Sequence, residues 1–222
     1  MGVIETLSLA LGASWASGIN LYATMAILGF LNLIGVIILP DDLQVLSSPL
    51  VLGAAVMMYA IEFIADKIPG VDNVWDVIHT FIRIPAGALF AAGSFKGMEL
   101  GISEDVLLVA TLIGGGGVAA SSHILKAGSR AVLNASPEPI TNIMASLFED
   151  ALVAIGTLMA VFKPIVFLVL LGIFILFAAW LIPKIWRGIR SFLSRLRHPT
   201  GKIKPNSDGR IPLSLGGPPS SE

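Results

Sequence analysis

Apolar residues fill positions 3–39 almost without interruption and return in five further blocks, 49–65, 74–97, 106–133, 140–161 and 164–185. A bilayer core about 30 Å thick takes about 20 apolar residues per helix, so the pattern predicts an all-α polytopic membrane protein with six transmembrane helices. Each boundary has a breaker: Asp41 and Asp42, the turn Lys67-Ile68-Pro69-Gly70, an acidic connection with Glu99, Glu104 and Asp105, Ser136-Pro137-Glu138-Pro139, and Pro164. The first block is too long for one perpendicular helix, and Gly12, Ser14, Ser17, Gly18 and Asn20 predict that it breaks or tilts strongly. Gly114 to Gly117 predict a second interruption in the fourth block, since a mid-helix glycine costs about 1 kcal/mol relative to alanine. Close helix packing through small residues is the alternative. Pro85 predicts a kink in the third block.

Composition agrees with this pattern, with 55% hydrophobic residues and only 13% charged, about half the charge of a water-soluble domain. Residues 1–187 therefore read as one membrane domain, with no room for a soluble one. The absence of cysteine excludes disulfides, thiolate metal sites and cysteine nucleophiles. A net charge of −1 hides an asymmetry, because Arg187, Arg190, Arg195, Arg197, Lys202, Lys204 and Arg210 crowd the C-terminal tail. Short cytoplasmic segments collect Lys and Arg. The tail, with Lys67, Lys126 and Arg130, therefore predicts that both termini are cytoplasmic and that the acidic loops face outward; Lys96 and Lys163 run against this. It reads as an orientation signal and not as a nucleic-acid contact. Residues 188–198 alternate arginines with Ile189, Phe192, Leu193 and Leu196, as an amphipathic helix on an anionic leaflet would. Residues 199–222, rich in Gly, Pro and Ser, read as a disordered tail.

An internal duplication is legible as well. Laying residues 7–32 over 109–134 pairs Gly12 with Gly114, Leu31 with Leu133 and Asn32 with Asn134; further on, Ser48-Pro49 meets Ser136-Pro137 and Glu62 meets Asp150. The halves 3–98 and 104–187 would each hold three spans, an odd number, so two copies must enter the membrane in opposite orientations. That is a 3+3 inverted repeat with interrupted helices 1 and 4, an architecture of secondary transporters. Helices rich in small residues also align by composition alone.

The ionisable residues inside the blocks are the candidate chemistry. A charge at the bilayer centre costs about 2.5–3.5 kcal/mol on insertion scales, so such groups face a bundle interior or water. Glu62 and Asp66 share a helix face at i and i+4. Asp76, His79 and Arg83 form a polar stripe that His123, Lys126 and Arg130 repeat at the same spacing. Of the adjacent Glu149 and Asp150, which diverge by about 100° on a helix, only one can point down the bundle axis; the alignment with Glu62 selects Asp150. Two carboxylates in low dielectric can share a proton or bind a cation. Asn20 and Asn142 could add neutral ligands, while Arg83, His79, His123, Lys126 and Arg130 would be counter-charges or gates. The same groups could equally do no more than neutralise one another: Glu62 and Asp66 with Lys126 and Arg130, Glu149 or Asp150 with Arg83.

The segments Glu62 through Asp66-Lys67-Ile68-Pro69, Arg83-Ile84-Pro85-Ala86-Gly87-Ala88, Lys126 through Arg130, and Asn142 through Glu149-Asp150 resemble a bacterial integral membrane family catalogued as domain of unknown function 4126. The resemblance covers about residues 5–185 and implies a bacterial inner-membrane protein without naming a substrate. One departure is Gly18-Ile19-Asn20, where the family is expected to carry Gly-Leu-Arg.

The chain carries no phosphate-binding glycine loop with its lysine, no His-Glu-x-x-His and no nucleophile elbow, so neither an enzyme nor a cofactor or metal site is expected. The expected function is a small transporter or channel in the lipid bilayer, homo-oligomeric, for an ion or small polar solute, with Glu62 and Asp150 as the cation or proton site and Glu149, Asp66 and Asp76 along the route. An anion carrier using the basic cluster and a non-transporting scaffold with structurally paired charges are the alternatives.

Overall fold

The computed structural model describes residues 2–68, 70–98, 100–133 and 139–197. Pro69, Glu99, Asn134, Ser136 to Glu138 and the tail expected to be disordered lie outside those residues. Six helices follow in order: α1 Val3–Leu33, α2 Pro49–Ala65, α3 Val71–Phe95, α4 Glu104–Leu133, α5 Pro139–Phe162 and α6 Pro164–Arg197. A 3₁₀ segment, Asp41–Ser47, precedes α2, and the described residues form no strand. Five helices are long and apolar enough to cross a membrane; the 3₁₀ segment and α2, bent by 65°, raise the number to six. The chain divides into two compact units, Met1–Pro183 and Lys184–Glu222. The first holds the core. The stretch expected as an amphipathic basic segment is helical as far as Arg197.

Local chemistry sets the element ends. Pro49 opens α2 where its missing N–H costs nothing, and the Ser48 hydroxyl accepts the Val51 N–H at 3.4 Å. Between α2 and α3 the chain passes Gly70 at φ 88°, a conformation open to glycine and strained for other residues. The Asp72 carboxylate then takes the N–H groups of Gly70 (2.9 Å) and Asn73 (2.7 Å), tying the turn to the start of α3.

Helix α1 is not a straight rod. Its 31 residues would span about 46 Å at about 1.5 Å each, but Asn20 leaves helical geometry at φ −145°, ψ 99°. Up to that point the first arm runs antiparallel to α5: the Ser8 hydroxyl donates to the Ala160 carbonyl at 2.7 Å, Trp15 packs on Gly156, and Asn20 meets Asp150. Ala10, near the arm's start, packs with Ala91 and Phe95 at the C-terminal end of α3. Beyond Asn20 the chain returns. Gly29 packs on the Leu46 carbonyl just before α2, Leu28 and Leu39 share a cluster with Leu9, and Thr6 and Leu39 line one small cavity. Both ends of α1 therefore reach the end of the molecule that carries Asp42 and Lys96. The asparagine explains where the bend falls, because its carboxamide oxygen accepts the Ala23 N–H at 2.9 Å and so caps the second arm as a new helix. The break expected in the first block is present, and it makes α1 a V that enters and leaves at one end. The packing starts the chain at the end where α2 and α4 begin.

The interruption expected at Gly114 to Gly117 is absent, and α4 runs as one helix from Glu104 to Leu133. Packing offsets the poor propensity. A Cβ on Gly115 would overlap Ala91 and the Gly87 carbonyl, and one on Gly18 would overlap the Ala119 carbonyl of α4. These small residues bring α1, α3 and α4 into backbone contact, as at tightly packed membrane helix interfaces. Hydroxyls bind the same seam: Ser14 donates to the Gly87 carbonyl at 2.7 Å and Ser122 to the Trp15 carbonyl at 2.8 Å. Pro85 is accommodated within an unbroken α3. With helix 1 broken and helix 4 continuous, the proposed repeat is not matched by a shared interruption.

Candidate functional site

The bend of α1 lies against the half of the bundle where α2 ends, α3 begins and α4 ends. There three cations meet five carboxylates. Arg83 of α3 donates to Glu62 of α2 at 2.5 Å and to Asp76, two turns back on its own helix face, at 2.8 Å. Lys126 of α4 lies 2.8 Å from Asp66 and 3.6 Å from each of Glu62, Asp76 and Glu149. Arg130, one turn on, holds Glu149 through two hydrogen bonds of 2.9 and 2.7 Å and stands 3.9 Å from Asp66 and 3.8 Å from Asp72. It also donates to the Asn142 side-chain oxygen at 2.6 Å. Glu62, Arg83 and Arg130 are fully buried, and Lys126 is 5% exposed.

Two features set this cluster apart from a set of neutralised pairs. Five carboxylates against three cations leave an excess of two negative charges when all are ionised. In addition, Glu62 Oε2, Asp66 Oδ1 and Asp76 Oδ2 are buried without a hydrogen-bond partner. Buried polar atoms are almost always satisfied, so three carboxylate oxygens and the Arg83 Nε without a partner among the described residues set this cluster apart.

The bend supplies one backbone carbonyl and one side-chain amide to this region. Lys126 Nζ donates to the Ile19 carbonyl at 3.1 Å, at the end of the first arm of α1, and Asn20 Nδ2 donates to Asp150 at 3.2 Å. Helix ends freed of intrahelical partners are tolerated at membrane depth when the protein supplies others, and Lys126 and Asn20 do so here.

The histidines flank the cluster. His123 Nδ1 lies 3.3 Å from Arg83 NH1, and its Nε2 lies 2.7 Å from the Thr80 hydroxyl, which itself donates to the Asp76 carbonyl at 2.9 Å. A guanidinium only donates, so Nδ1 accepts and the proton is on Nε2. His79 stacks on Trp75 at 4.3 Å, donates through Nδ1 to the Trp75 carbonyl at 2.8 Å and faces the Tyr22 hydroxyl at 3.1 Å.

The residues singled out in the sequence thus fall in one region: Lys126 meets Asp66 as expected, whereas Arg83 takes Glu62 rather than Glu149 or Asp150, and Glu149 goes to Arg130. Of the doublet, Glu149 reaches the cluster, while Asp150 sits beside it on Asn20. The alignment that selected Asp150 for the bundle axis misplaced it because a one-residue choice on a helix depends on which neighbour it faces. Asp72, fully buried near Arg130, was missed; its spacing of four residues before Asp76 was a signal that could have found it.

A family model described as a domain of unknown function, DUF4126, matches residues 7–184. The chain belongs to that family. The match spans both arms of α1, the cluster and nearly the whole of the first compact unit, so the site lies within the family's domain. No curated protein and no solved structure matches the chain.

Proposed function

We propose that this protein moves protons or a small cation across a membrane, with the cluster of Glu62, Asp66, Asp76 and Glu149 as the site through which they pass. The observation that carries this reading is the excess of buried carboxylate over cation together with the three orphaned oxygens. Arg83, Lys126 and Arg130 hold the remaining carboxylates in place and set the potential of the site. Asp150 and Asn20, at the bend of α1, form its margin. The arrangement suits a cation better than an anion, because every basic group in the cluster is already engaged by carboxylate. Bent helices whose ends meet near mid-membrane are where transporters place such sites.

The protein would be a non-enzymatic inner-membrane component of a bacterium, with the basic end of the bundle cytoplasmic by the excess of Lys and Arg there. Because α1 returns to its starting end, the N-terminus would then face outward with the acidic loops. In this cysteine-free chain, single cysteines at Gly2 and Gly101 should react with an impermeant thiol reagent from one side and a cysteine at Ile68 from the other. Reaction of positions 2 and 68 from the same side would mean that α1 crosses. The exposed apolar side chains that cover the bundle, such as Phe81, Leu89 and Leu176, suit acyl chains or a second copy in a homo-oligomer, which cross-linking in native membranes would separate.

Proteoliposome flux is the decisive test. Glu62→Gln keeps shape and removes charge, and should abolish proton or cation movement driven by an imposed potential, which contributes about 2.3 kcal/mol per charge per 100 mV. Asp150→Asn, at the margin, should reduce flux less. A scaffold whose charges only pair is supported by the short bonds to Arg83 and Arg130; it would show no flux in wild type under any gradient.

A further inference from the structure

The centre of the cluster is a nitrogen. Lys126 Nζ has five oxygens about it: Asp66 Oδ2 at 2.8 Å, the Ile19 carbonyl at 3.1 Å, and Glu62 Oε1, Asp76 Oδ1 and Glu149 Oε2 at 3.6 Å. An ammonium has three protons to give, so two short bonds and three longer contacts more than fill its capacity. Four of the five oxygens belong to carboxylates from α2 and the residue that caps its end, from α3 and from α5, and the fifth is a main-chain carbonyl at the bend of α1. Each of Glu62, Asp66 and Asp76 also keeps its second oxygen buried and without a partner.

The spacing selects the kind of ion. Magnesium and calcium bind oxygen at about 2.0–2.6 Å, and among the described residues no three acidic or histidine side chains are arranged to hold a metal ion. The two oxygens at 2.8 and 3.1 Å from Nζ instead stand at the bonding distance of an ammonium-sized monovalent ion, and the three at 3.6 Å surround it with negative charge. Resting on the reading that the cluster serves a cation, we propose that the oxygen cage around Lys126 Nζ is a binding site for a monovalent cation of ammonium size, and that the Lys126 ammonium is its tethered occupant. A mobile ion enters when the lysine stem swings aside, so Lys126 acts as an internal competitor that releases the ion again. No bond is made or broken, and the entering ion adds one positive charge to a cluster whose five carboxylates exceed its three cations by two.

The test removes the tether. Lys126→Ala and Lys126→Gln proteins are purified in detergent, and thermal unfolding is followed against ammonium, potassium, lithium and choline chlorides at constant ionic strength. Ammonium or potassium should raise the unfolding midpoint of both variants by at least about 3 °C at saturation, with lithium weaker and choline without effect. Wild type, its cage already filled, should show no such selectivity. Lys126→Gln keeps the stem and a donor, which guards against outright misfolding of the alanine variant. An equal response to all four salts, the same selectivity in wild type, or no recovery of either variant by ammonium or potassium overturns the proposal. Because the readout is stability, a wild type without flux would sink the transport reading and leave this result standing, while full flux with no cation-selective stabilisation would do the reverse.

Discussion

The same three helices, α1, α3 and α4, make two unlike ends. At one, Arg83, Lys126 and Arg130 and their carboxylates fill the space between them. At the other, beyond the pinch of Gly18, Gly87 and Gly115, the helices and the 3₁₀ segment leave an apolar cleft of about 1460 Å³ that reaches inward to Leu21, the neighbour of Asn20, and is rimmed by Asp42, Lys96, Glu104 and Asp105. Lipid tails are as apolar as leucine, so closing side chains such as Met25 and Leu89 over that cleft gains little in a membrane. Charges behave in the opposite way. Each is costly unless its partner is within bonding distance, so the charged end packs tightly and the apolar end can stay open.

The contrast breaks most easily at its charged end. Arg83→Met removes the nearest shared partner of Glu62 and Asp76 and should destabilise the protein by about 3–5 kcal/mol, read by unfolding in detergent. A double-mutant cycle with Glu62→Gln should recover much of the loss, and one between Glu62 and Arg130 should show no coupling of that size. The pinch between the two ends is next. Gly18→Ala places a methyl on the Ala119 carbonyl and should cost about 1–3 kcal/mol, whereas Gly117→Ala, with nothing within 4 Å, should be neutral or stabilising by up to about 1 kcal/mol. The smallest effect belongs to the open end. The Asp42–Lys96 pair at 2.9 Å leaves Lys96 71% exposed, so Lys96→Ala should change stability by about 0–1 kcal/mol. A large loss there would mean that the rim closes the cleft.

Periodicity and breakers carried most of the fold. The second block was expected at the residues α2 occupies, and the other helices begin or end within a few residues of their blocks, because a bilayer imposes one length and one solvent on every helix. The polar interior was legible for the same reason, since few forces place Asp76, His79 and Arg83 on one face of a membrane helix except one another. The two runs of small residues were not separable. Gly12 to Asn20 and Gly114 to Gly117 look alike as strings, yet the chain turns at Asn20 and runs straight through the four glycines.

By itself, then, the order of residues determined that this chain is a bundle of membrane helices with a buried set of ionisable groups on α2 to α5. Tertiary structure alone decided that α1 folds back, that Glu62 faces Arg83 and not Arg130, and that Glu149 rather than Asp150 enters the cluster. The reason is physical. Helix formation in a membrane answers to local hydrogen bonding and to lipid, which each segment meets alone, whereas a bend needs Lys126 to donate to its freed carbonyl and Asp150 to hold its asparagine side chain, and a charge chooses its partner among residues brought near only when the helices pack.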